Sequence, residues 1–347
     1  MFHRRILLAS FAILVLIISF VTTVYFLKAK EKAEPTGKVL GGAGGYIEAK
    51  APEDKSTLNV LLLGYGGAGH QGGHLTDVIQ VLHFDFTKKL VAMISLPRDL
   101  WVRGDPPLRW ASKINALYAK NTDSASEIKS AIKEITGLET DYFVSVDFVG
   151  LQRLIGIELK GIEVVVGETL DDPWYPIKGE ELNTCGLSAT EVASLSNQYS
   201  GFELEKQFAC RYEHLNYKEG KVKMEGGDVL KYVRSRHGSG AGDFSRSRRQ
   251  HEVLLAIKDK VFSLQFLEKL PQVFASLNKH VTTDIDLSIA EHFAPAIKLA
   301  DGFQVQTIVL STDNVFISGK NSSGQFVLEP KKSWAEVQSF VKKELER

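Results

Sequence analysis

Short apolar runs alternate with amphipathic segments along most of the chain. Nearly continuous apolar runs predict buried strands at Leu58–Leu63, Val78–Phe86 and Leu90–Leu96. Apolar residues at helical spacing predict a helix at Ser124–Gly137, in which the first residue and Glu127 form a capping box and the glycine ends the helix. Strands that alternate with helices indicate an α/β core with helices on both faces of a sheet.

The same patterns predict further elements downstream. They are strands at Asp141–Asp147, Ile162–Val166 and Gln304–Leu310, a hairpin within Val315–Leu328, and helices at Phe148–Ile157, Glu268–His280 and Ser333–Leu345. Residues 172–220 have no regular pattern, and we predict that they are irregular. They contain Cys185 and Cys210, which can form a disulfide in an extracytoplasmic domain or remain as two buried thiols.

The N-terminal segment Ile6–Leu27 carries no charge over 22 residues. As a helix it would be about 33 Å long, enough to cross a bilayer. A cleaved signal peptide is the alternative, but no small-x-small cleavage site follows the apolar run. We therefore predict a single transmembrane helix between a short tail (residues 1–5) and a linker (residues 28–56). Basic residues on both sides leave the orientation open from charge alone.

Composition and the context of one glycine motif argue against two classes of function, nucleic-acid binding and dinucleotide binding. The 347 residues include 42 basic and 42 acidic side chains, so the formal net charge is zero, which argues against a general nucleic-acid binder. Gly64–Gly69 matches GxGxxG, the phosphate loop of dinucleotide-binding folds. Such a loop must open a helix, whereas the residues after it predict a strand. We therefore do not expect a nicotinamide or flavin site.

Basic residues concentrate around Tyr232–Gln250. Between Lys231 and Arg249 there are six Lys or Arg and a single acid, Asp243. We predict a short strand at Tyr232–Arg236, then a helix capped by Asp243 or Ser245. The strand face and the first helical turn would present these side chains together: Arg234, Arg236, Arg246, Arg249 and Gln250. Guanidinium forks beside a helix N-terminus suit a pyrophosphate, and the alternative is a solvated basic loop.

Several motifs occur in a fixed order along the chain. They are LLLG at Leu61–Gly64, Leu75-Thr76-Asp77, Leu96-Pro97-Arg98-Asp99, Lys113-Ile114-Asn115, DYFVSVDF at Asp141–Phe148, and the pair RSRH and DFSRSRRQ within the basic stretch. In order and spacing they resemble the signature of the LytR-CpsA-Psr (LCP) family of cell-envelope phosphotransferases.

The resemblance implies an α/β fold for residues 57–347, a three-layer α-β-α arrangement with a central mixed sheet. It implies transfer of a glycan or anionic polymer from a polyprenyl-pyrophosphate carrier to peptidoglycan or another envelope acceptor, assisted by Mg²⁺. It also places the domain outside the cell membrane and the N-terminus inside. Two alternatives remain: a hydrolase of the same pyrophosphate, and a non-catalytic sensor or attenuator that binds the lipid carrier. Nucleic acid is not an expected partner, because no aromatic residues interleave with the arginines.

The resemblance also assigns roles to residues. Catalytic roles fall on Arg98, Asp243 and Arg246, pyrophosphate binding on Arg234, Arg236, Arg249, Gln250 and Lys113, and metal binding on Asp77 with Asp99 as a second candidate. Asp243 can orient an arginine or act as a base, and Arg249 can support the site through Asp99. The chain departs from the family at Gly66, where an Asp is usual, and at Leu75, where an Arg is usual, so metal binding is the expectation most affected. His70 or His74 could compensate.

Overall fold

The computed structural model describes residues 56–70, 72–103, 111–235, 242–261, 276–277, 279–285 and 303–347. Within these residues no helix combines the length and the apolar character needed to cross a membrane. The predicted transmembrane helix (residues 6–27) and the predicted linker up to residue 55 lie outside the described residues. So do Arg236 and most of the helix predicted at Glu268–His280.

The described strands follow the order of the predicted ones. They are β1 (Thr57–Tyr65), β2 (Thr76–Asp85), β3 (Leu90–Ser95), β4 (Trp101–Arg103), β5 (Ala111–Lys113), β6 (Tyr142–Asp147), β7 (Ile162–Val166), β8 (Leu170–Pro176), β9 (Tyr212–Tyr217), β10 (Gly220–Met224), β11 (Val281–Thr283), β12 (Gln304–Val309), β13 (Phe316–Lys320) and β14 (Phe326–Pro330).

The α-helices lie between and after these strands. They are α1 (Ser126–Thr136), α2 (Phe148–Arg153), α3 (Ala189–Gln198), α4 (Gly201–Glu205), α5 (Gly226–Arg234), α6 (Gly242–Val261) and α7 (Trp334–Leu345). The chain divides into two compact units, one comprising residues 1–160 and 257–347 and the other residues 161–256.

A mixed sheet forms the centre of the first unit. Its strand order is β11-β6-β1-β2-β3-β12. Strand β1 runs parallel to β6, and β3 runs parallel to β12, whereas β2 lies between β1 and β3 and pairs antiparallel with both. The predicted mixed sheet is therefore confirmed, with the strand–strand–strand hairpins that excluded a dinucleotide-binding topology.

One face of this sheet packs against α1 and α7. The shared apolar core includes Leu61, Leu63, Ile79, Val81 and Ile94 from the strands, and Ile128, Ile132, Ile135, Val337 and Val341 from the two helices. On the opposite face Leu58, Val60, Phe84 and Met93 are also buried. Both faces are thus covered, as a sheet inside a layered α/β fold requires.

Helix α1 differs from its prediction at the N-terminus. The helix begins at Ser126, after Ala125 in the left-handed region at φ 52°. The side chain of Asn121 accepts the N–H of Ser124, and Glu127 accepts the hydroxyl of Ser126. The predicted Ser124–Glu127 capping box is therefore wrong, because Ser124 lies in a turn closed by Asn121 and Glu127 bonds Ser126 instead. The glycine end is confirmed: Gly137 has φ 75° and donates to the carbonyl of Lys133.

The second unit is more regular than its sequence pattern. It contains two antiparallel pairs, β7 with β10 and β8 with β9. Cys185 and Cys210 form a disulfide, which confirms one of the two alternatives. The prediction of irregular structure for residues 172–220 is wrong, because this segment contains helices α3 and α4. The sequence pattern does not reveal them, because neither helix buries any of its residues. Without a buried face a helix leaves no apolar period to read in the sequence.

Candidate functional site

Polar residues gather at one end of the sheet in the first unit. Tyr65 pairs with Thr76 while Gly64 pairs with Val78, so Asp77 is an extra residue in β2 with no partner on β1. Such a bulge turns a side chain out of the regular alternation. Strand β3 ends beside the start of β2, and the chain then passes through Pro97 to Arg98. The bulge therefore places the Asp77 carboxylate within reach of Arg98.

Arg98 lies between two carboxylates. Its Nη1 donates to Oδ1 of Asp77, and its Nε lies 3.5 Å from Oδ2 of Asp99. Oδ1 of Asp99 accepts from Nζ of Lys113 at 2.6 Å. These four side chains (Asp77, Arg98, Asp99 and Lys113) are called the ion cluster below. Each is only partly exposed, so their charges interact through a medium less polar than water.

Backbone hydrogen bonds hold the three segments of the ion cluster together. The N–H of Ile114 donates to the carbonyl of Leu100 at 2.8 Å, and the N–H of Asn115 donates to the carbonyl of Arg98 at 3.3 Å. The Thr76 hydroxyl donates to the Asn115 carbonyl at 3.4 Å. The segments around residues 77, 98 and 113, far apart in sequence, thus form one rigid surface.

In the second unit, the strand predicted at Tyr232–Arg236 is wrong. Residues up to Arg234 belong to α5, whose N-terminus is closed by reciprocal caps between Glu225 and Asp228. Val229, Leu230 and Val233 are buried at helical spacing, and this pattern outweighs the two-residue alternation of arginine and serine. Arg234 is therefore the last residue of a helix, and its guanidinium donates a hydrogen bond to the Tyr175 hydroxyl. Burial raises the pKa of Tyr175, and Arg234 opposes that shift.

Arg249 is the most deeply buried basic residue among those described, with 2% of its surface exposed. Its Nε donates to the carbonyl of Tyr232 at 2.9 Å, and its Nη2 donates to the carbonyl of Ser235. Burial lowers the Arg249 pKa, although two hydrogen bonds to carbonyls still favour the charged form. The side chain thus closes the C-terminus of α5, where carbonyls lack helical partners.

A second bond fixes the same junction. The Ser235 hydroxyl donates to Oδ2 of Asp172 at 2.6 Å, and Asp172 is fully buried. On the other side of Arg249, Glu252 accepts the Tyr232 hydroxyl and also the N–H of Gly167 at 3.0 Å. Sequence reasoning missed Asp172 in β8 and Glu252 in α6 because neither acid stands at a spacing that marks a site.

The other predicted residues of the basic stretch lie on or near α6. Helix α6 begins at Gly242, so Ser245 is inside it rather than a cap, and Ser245 is buried. Arg246 is partly exposed and Gln250 is buried. The side chain of Asp243 lies outside the described part of the chain, as does Arg236. The convergence of these groups on a pyrophosphate stays a prediction.

The model of the LytR_cpsA_psr family matches residues 20–339. The chain belongs to the LCP family. It is 27% identical over 229 residues to the regulatory protein MsrR of Staphylococcus aureus (strain COL), covering 66% of this chain and 56% of MsrR. It is 25% identical over 276 residues to the polyisoprenyl-teichoic acid–peptidoglycan teichoic acid transferase TagV of Bacillus subtilis (strain 168), covering 77% of this chain and 60% of TagV.

Solved structures share the LCP fold. The crystal structure of B. subtilis TagV has a TM-score of 0.56 and 22% identity, with 85% of this chain and 99% of that chain covered. A structure of TagT bound to LI-WTA has a TM-score of 0.54 and 20% identity, with 86% and 96% covered. These likenesses concern the fold. The chain spans between a half and two thirds of the length of MsrR and TagV.

The described residues fit an Mg²⁺ ion only if substrate phosphates supply part of its coordination shell. Among them, no three His, Cys, Asp or Glu side chains come close enough to hold a metal ion. In the ion cluster two carboxylates face two cations, so no net negative charge remains for a resident divalent ion. Mg²⁺ commonly takes one or two carboxylates and completes its shell with substrate phosphates and water. Asp77 fits that arrangement.

The first LCP departure has a packing reason. A Cβ on Gly66 would lie 3.0 Å from the Cβ of His70, and the His70 ring packs edge-on against Phe148 with centroids 5.4 Å apart. A carboxylate at position 66 would therefore displace His70. At the second departure Leu75 is 40% exposed, and the preceding residue, His74, stacks on Tyr65 with ring centroids 5.7 Å apart. Both histidines thus pack on aromatic rings, and a compensating role for either of them stays a prediction.

Buried His251 predicts acid sensitivity. It is 4% exposed, and burial lowers its pKa from 6.5 to about 4. The unfolded chain therefore gains a proton below about pH 6.5 that the folded chain refuses until about pH 4, so stability falls across that window. We expect about 2 kcal/mol less unfolding free energy at pH 5 than at pH 7 from this residue, measured by urea unfolding.

The non-titrating variant His251→Gln tests this assignment. Its own stability can differ from that of the wild type at every pH. The difference between pH 7 and pH 5, however, should shrink by about 2 kcal/mol relative to the wild type. An unchanged pH dependence in the variant would assign the acid sensitivity to other groups.

Proposed function

We propose that this protein is a membrane-anchored phosphotransferase that moves a glycan or anionic polymer from a polyprenyl-pyrophosphate carrier to peptidoglycan or another envelope acceptor. The ion cluster carries the proposal: an arginine and a lysine lie at one end of the sheet, partly buried and held by two carboxylates. LCP membership and the name of TagV, a teichoic acid transferase, support the substrate class.

Phosphoryl transfer requires little covalent chemistry from the protein. It requires that the phosphate oxygens be held in place and that their developing charge be neutralised. In the proposal, the diphosphate displaces the acidic partners of Arg98, whose guanidinium and the Lys113 ammonium then bind its oxygens. Asp77 and Asp99 keep both cations oriented before substrate arrives, so the arginine and lysine side chains move little when the diphosphate takes the place of the carboxylates.

The remaining predicted groups of the family motif lie in the second unit. Arg234, Arg246 and Gln250 are proposed to bind phosphate oxygens, with Arg236 and Asp243 as further members of the same motif. Arg249 is proposed to act through structure, because its guanidinium donates to the backbone carbonyls of Tyr232 and Ser235. Mg²⁺ would arrive with the diphosphate, take an oxygen of Asp77, and supply further charge neutralisation.

The proposal also includes the location. The uncharged segment Ile6–Leu27 would anchor the chain in the cell membrane, with residues 57–347 on the outer side. A carrier whose isoprenoid tail stays in the bilayer would then present its head group to the domain. In the proposal, residues 28–56 would be the linker that separates the domain from the membrane.

The test uses the purified full chain in detergent with a labelled lipid-linked donor and a glycan acceptor. Label attached to the acceptor, with release of polyprenyl phosphate, is the expected result. Arg234→Ala and Arg246→Ala should each lower turnover by about 10²-fold while thermal unfolding changes little. Full turnover in both variants would show that these roles are wrong.

The same reaction separates the alternatives. Free glycan phosphate in place of the coupled product would identify a hydrolase. Donor binding without turnover would identify a carrier-binding sensor, an outcome with a basis in the relatives, because MsrR is named a regulatory protein. Either result would reject the transferase.

A further inference from the structure

An aspartate–histidine pair lies at the end of the sheet in the first unit. Asp147 is the last residue of β6 and is 7% exposed. Its Oδ1 accepts the N–H of Gly150 at 2.7 Å, which caps α2. Its Oδ2 lies 2.9 Å from Nδ1 of His280. The backbone N–H of Asp147 also donates to the carbonyl of His280, at 3.1 Å, so one residue holds both the main chain and the ring of the histidine.

This contact determines which ring nitrogen is available. A carboxylate only accepts hydrogen bonds, so the proton of a neutral imidazole lies on Nδ1 and the lone pair on Nε2. The side chain of His280 is 21% exposed, about twice the 10% of the aspartate. The imidazole therefore keeps contact with solvent while its orienting carboxylate does not. A buried acid that fixes the tautomer of a partly exposed histidine is the arrangement used in general base catalysis.

The pair lies at the same end of the sheet as the ion cluster. Tyr65 on β1 is paired with Asp147 on one side and with Thr76 on the other, and Thr76 precedes Asp77. Since neighbouring strands are about 4.8 Å apart, the backbone of Asp147 lies about 10 Å from that of Thr76. A phosphate held by the ion cluster and a hydroxyl approaching from the β6 side would thus meet over Tyr65.

Gly67 and Tyr65 lie against the Asp147 carboxylate and shield it from solvent. Gly67 is in the left-handed region at φ 78°, and a Cβ there would lie 2.9 Å from the Cβ of Asp147. Tyr65 stays neutral, since burial, with Tyr118 and Asp147 adding to the effect, raises its pKa to about 12. The glycine loop and this phenol cover the carboxylate, and the imidazole is the part of the pair that a substrate can reach.

We propose that His280 is the general base of the transfer reaction and that Asp147 is its positioning residue; this inference rests on the proposed function. Nε2 accepts the proton of the acceptor hydroxyl as its oxygen forms a bond to phosphorus. The bond between that phosphorus and the bridging oxygen breaks, and polyprenyl phosphate leaves with the electron pair. The imidazolium then returns its proton to solvent.

The variant His280→Asn tests the base. The asparagine amide can still donate to Asp147 from the position of Nδ1, but it has no atom at Nε2. We expect kcat for acceptor coupling to fall by about 10²-fold or more, while KM for the labelled donor and the thermal unfolding temperature stay near those of the wild type. In His280→Ala, added imidazole should restore part of the lost rate, which a purely structural role would not allow.

Asp147→Asn tests the positioning role. An asparagine keeps the shape of the α2 cap but can present its amide rather than an acceptor to Nδ1, so the favoured tautomer is lost. The rate should fall less than in His280→Asn, and imidazole should not rescue it. His214→Asn, at an exposed histidine of the second unit, serves as the matched control and should transfer at the wild-type rate.

The outcomes separate this inference from the proposed function. If the wild type couples glycan to acceptor and His280→Asn does so equally fast, His280 is not the base, although the transferase stands. A rate loss that imidazole does not rescue in His280→Ala would likewise reject the base and leave a structural tie between β6 and β11. If the wild type does not couple at all, the proposed function fails and this role fails with it.

Discussion

Replacing Arg98 with alanine should lower the rate of glycan transfer by about a thousandfold. Its guanidinium lies between Asp77 and Asp99, and the proposed function assigns it to the phosphate oxygens. Removing one preorganised donor to a developing negative charge typically costs about 10²- to 10³-fold in kcat, and here the two remaining carboxylates would repel the diphosphate as well. The measurement is kcat of the full chain with a labelled lipid-linked donor.

Two variants make this result specific. Arg98→Lys keeps the positive charge but not the planar fork, so we expect a smaller loss, about tenfold. Arg103→Ala removes an exposed arginine from β4 and should leave kcat unchanged. Because the ion cluster is partly exposed, unfolding of Arg98→Ala should change by about 1 kcal/mol or less. Equal rates in Arg98→Ala and the wild type would remove the ion cluster from the mechanism.

Replacing Arg249 with methionine should destabilise the protein by about 4 kcal/mol, because two buried carbonyls lose their donor. The variant fills much of the same space but leaves the carbonyls of Tyr232 and Ser235 unsatisfied. An unsatisfied buried polar group costs about 1–3 kcal/mol, and two are left here. Urea unfolding followed by tryptophan fluorescence measures the change.

The neighbouring arginine provides the control. Arg248 pairs with Glu168 and, at 3.7 Å, with Glu252, but it is partly exposed. Such surface pairs contribute little, so Arg248→Met should cost less than about 1 kcal/mol. If Arg249→Met were as mild as Arg248→Met, the buried guanidinium would not be what closes the C-terminus of α5.

The sheet could be predicted from the sequence because both of its faces are buried. Continuous apolar runs such as those of β1 and β3 are typical of strands covered on both sides, and the predicted strands lie where the structure has them. Exposed helices such as α3 could not be predicted, since the information that forms them lies in caps rather than in an apolar period. At Tyr232 the alternation of two arginines with serine favours a strand, but the buried residues upstream follow a helical period and determine the structure.

The ion cluster was predictable only in part. Its members stand in separate motifs, and only the family resemblance connects those motifs within the sequence. What no motif contained was the bulge at Asp77, which depends on how β1 and β2 pair, or the partnership of Asp147 with His280, 133 residues apart in sequence. Pairings of this kind are set by tertiary structure and leave no local signal.

The disulfide between Cys185 and Cys210 has a consequence for how the chain matures. The two helices inside that ring bury none of their residues, so hydrophobic packing contributes little to their order. We therefore expect folding of this segment to be coupled to thiol oxidation, so that its order follows the redox state of the surroundings. A chain made in a reducing environment would complete its sheet first and this ring last, when an oxidant becomes available.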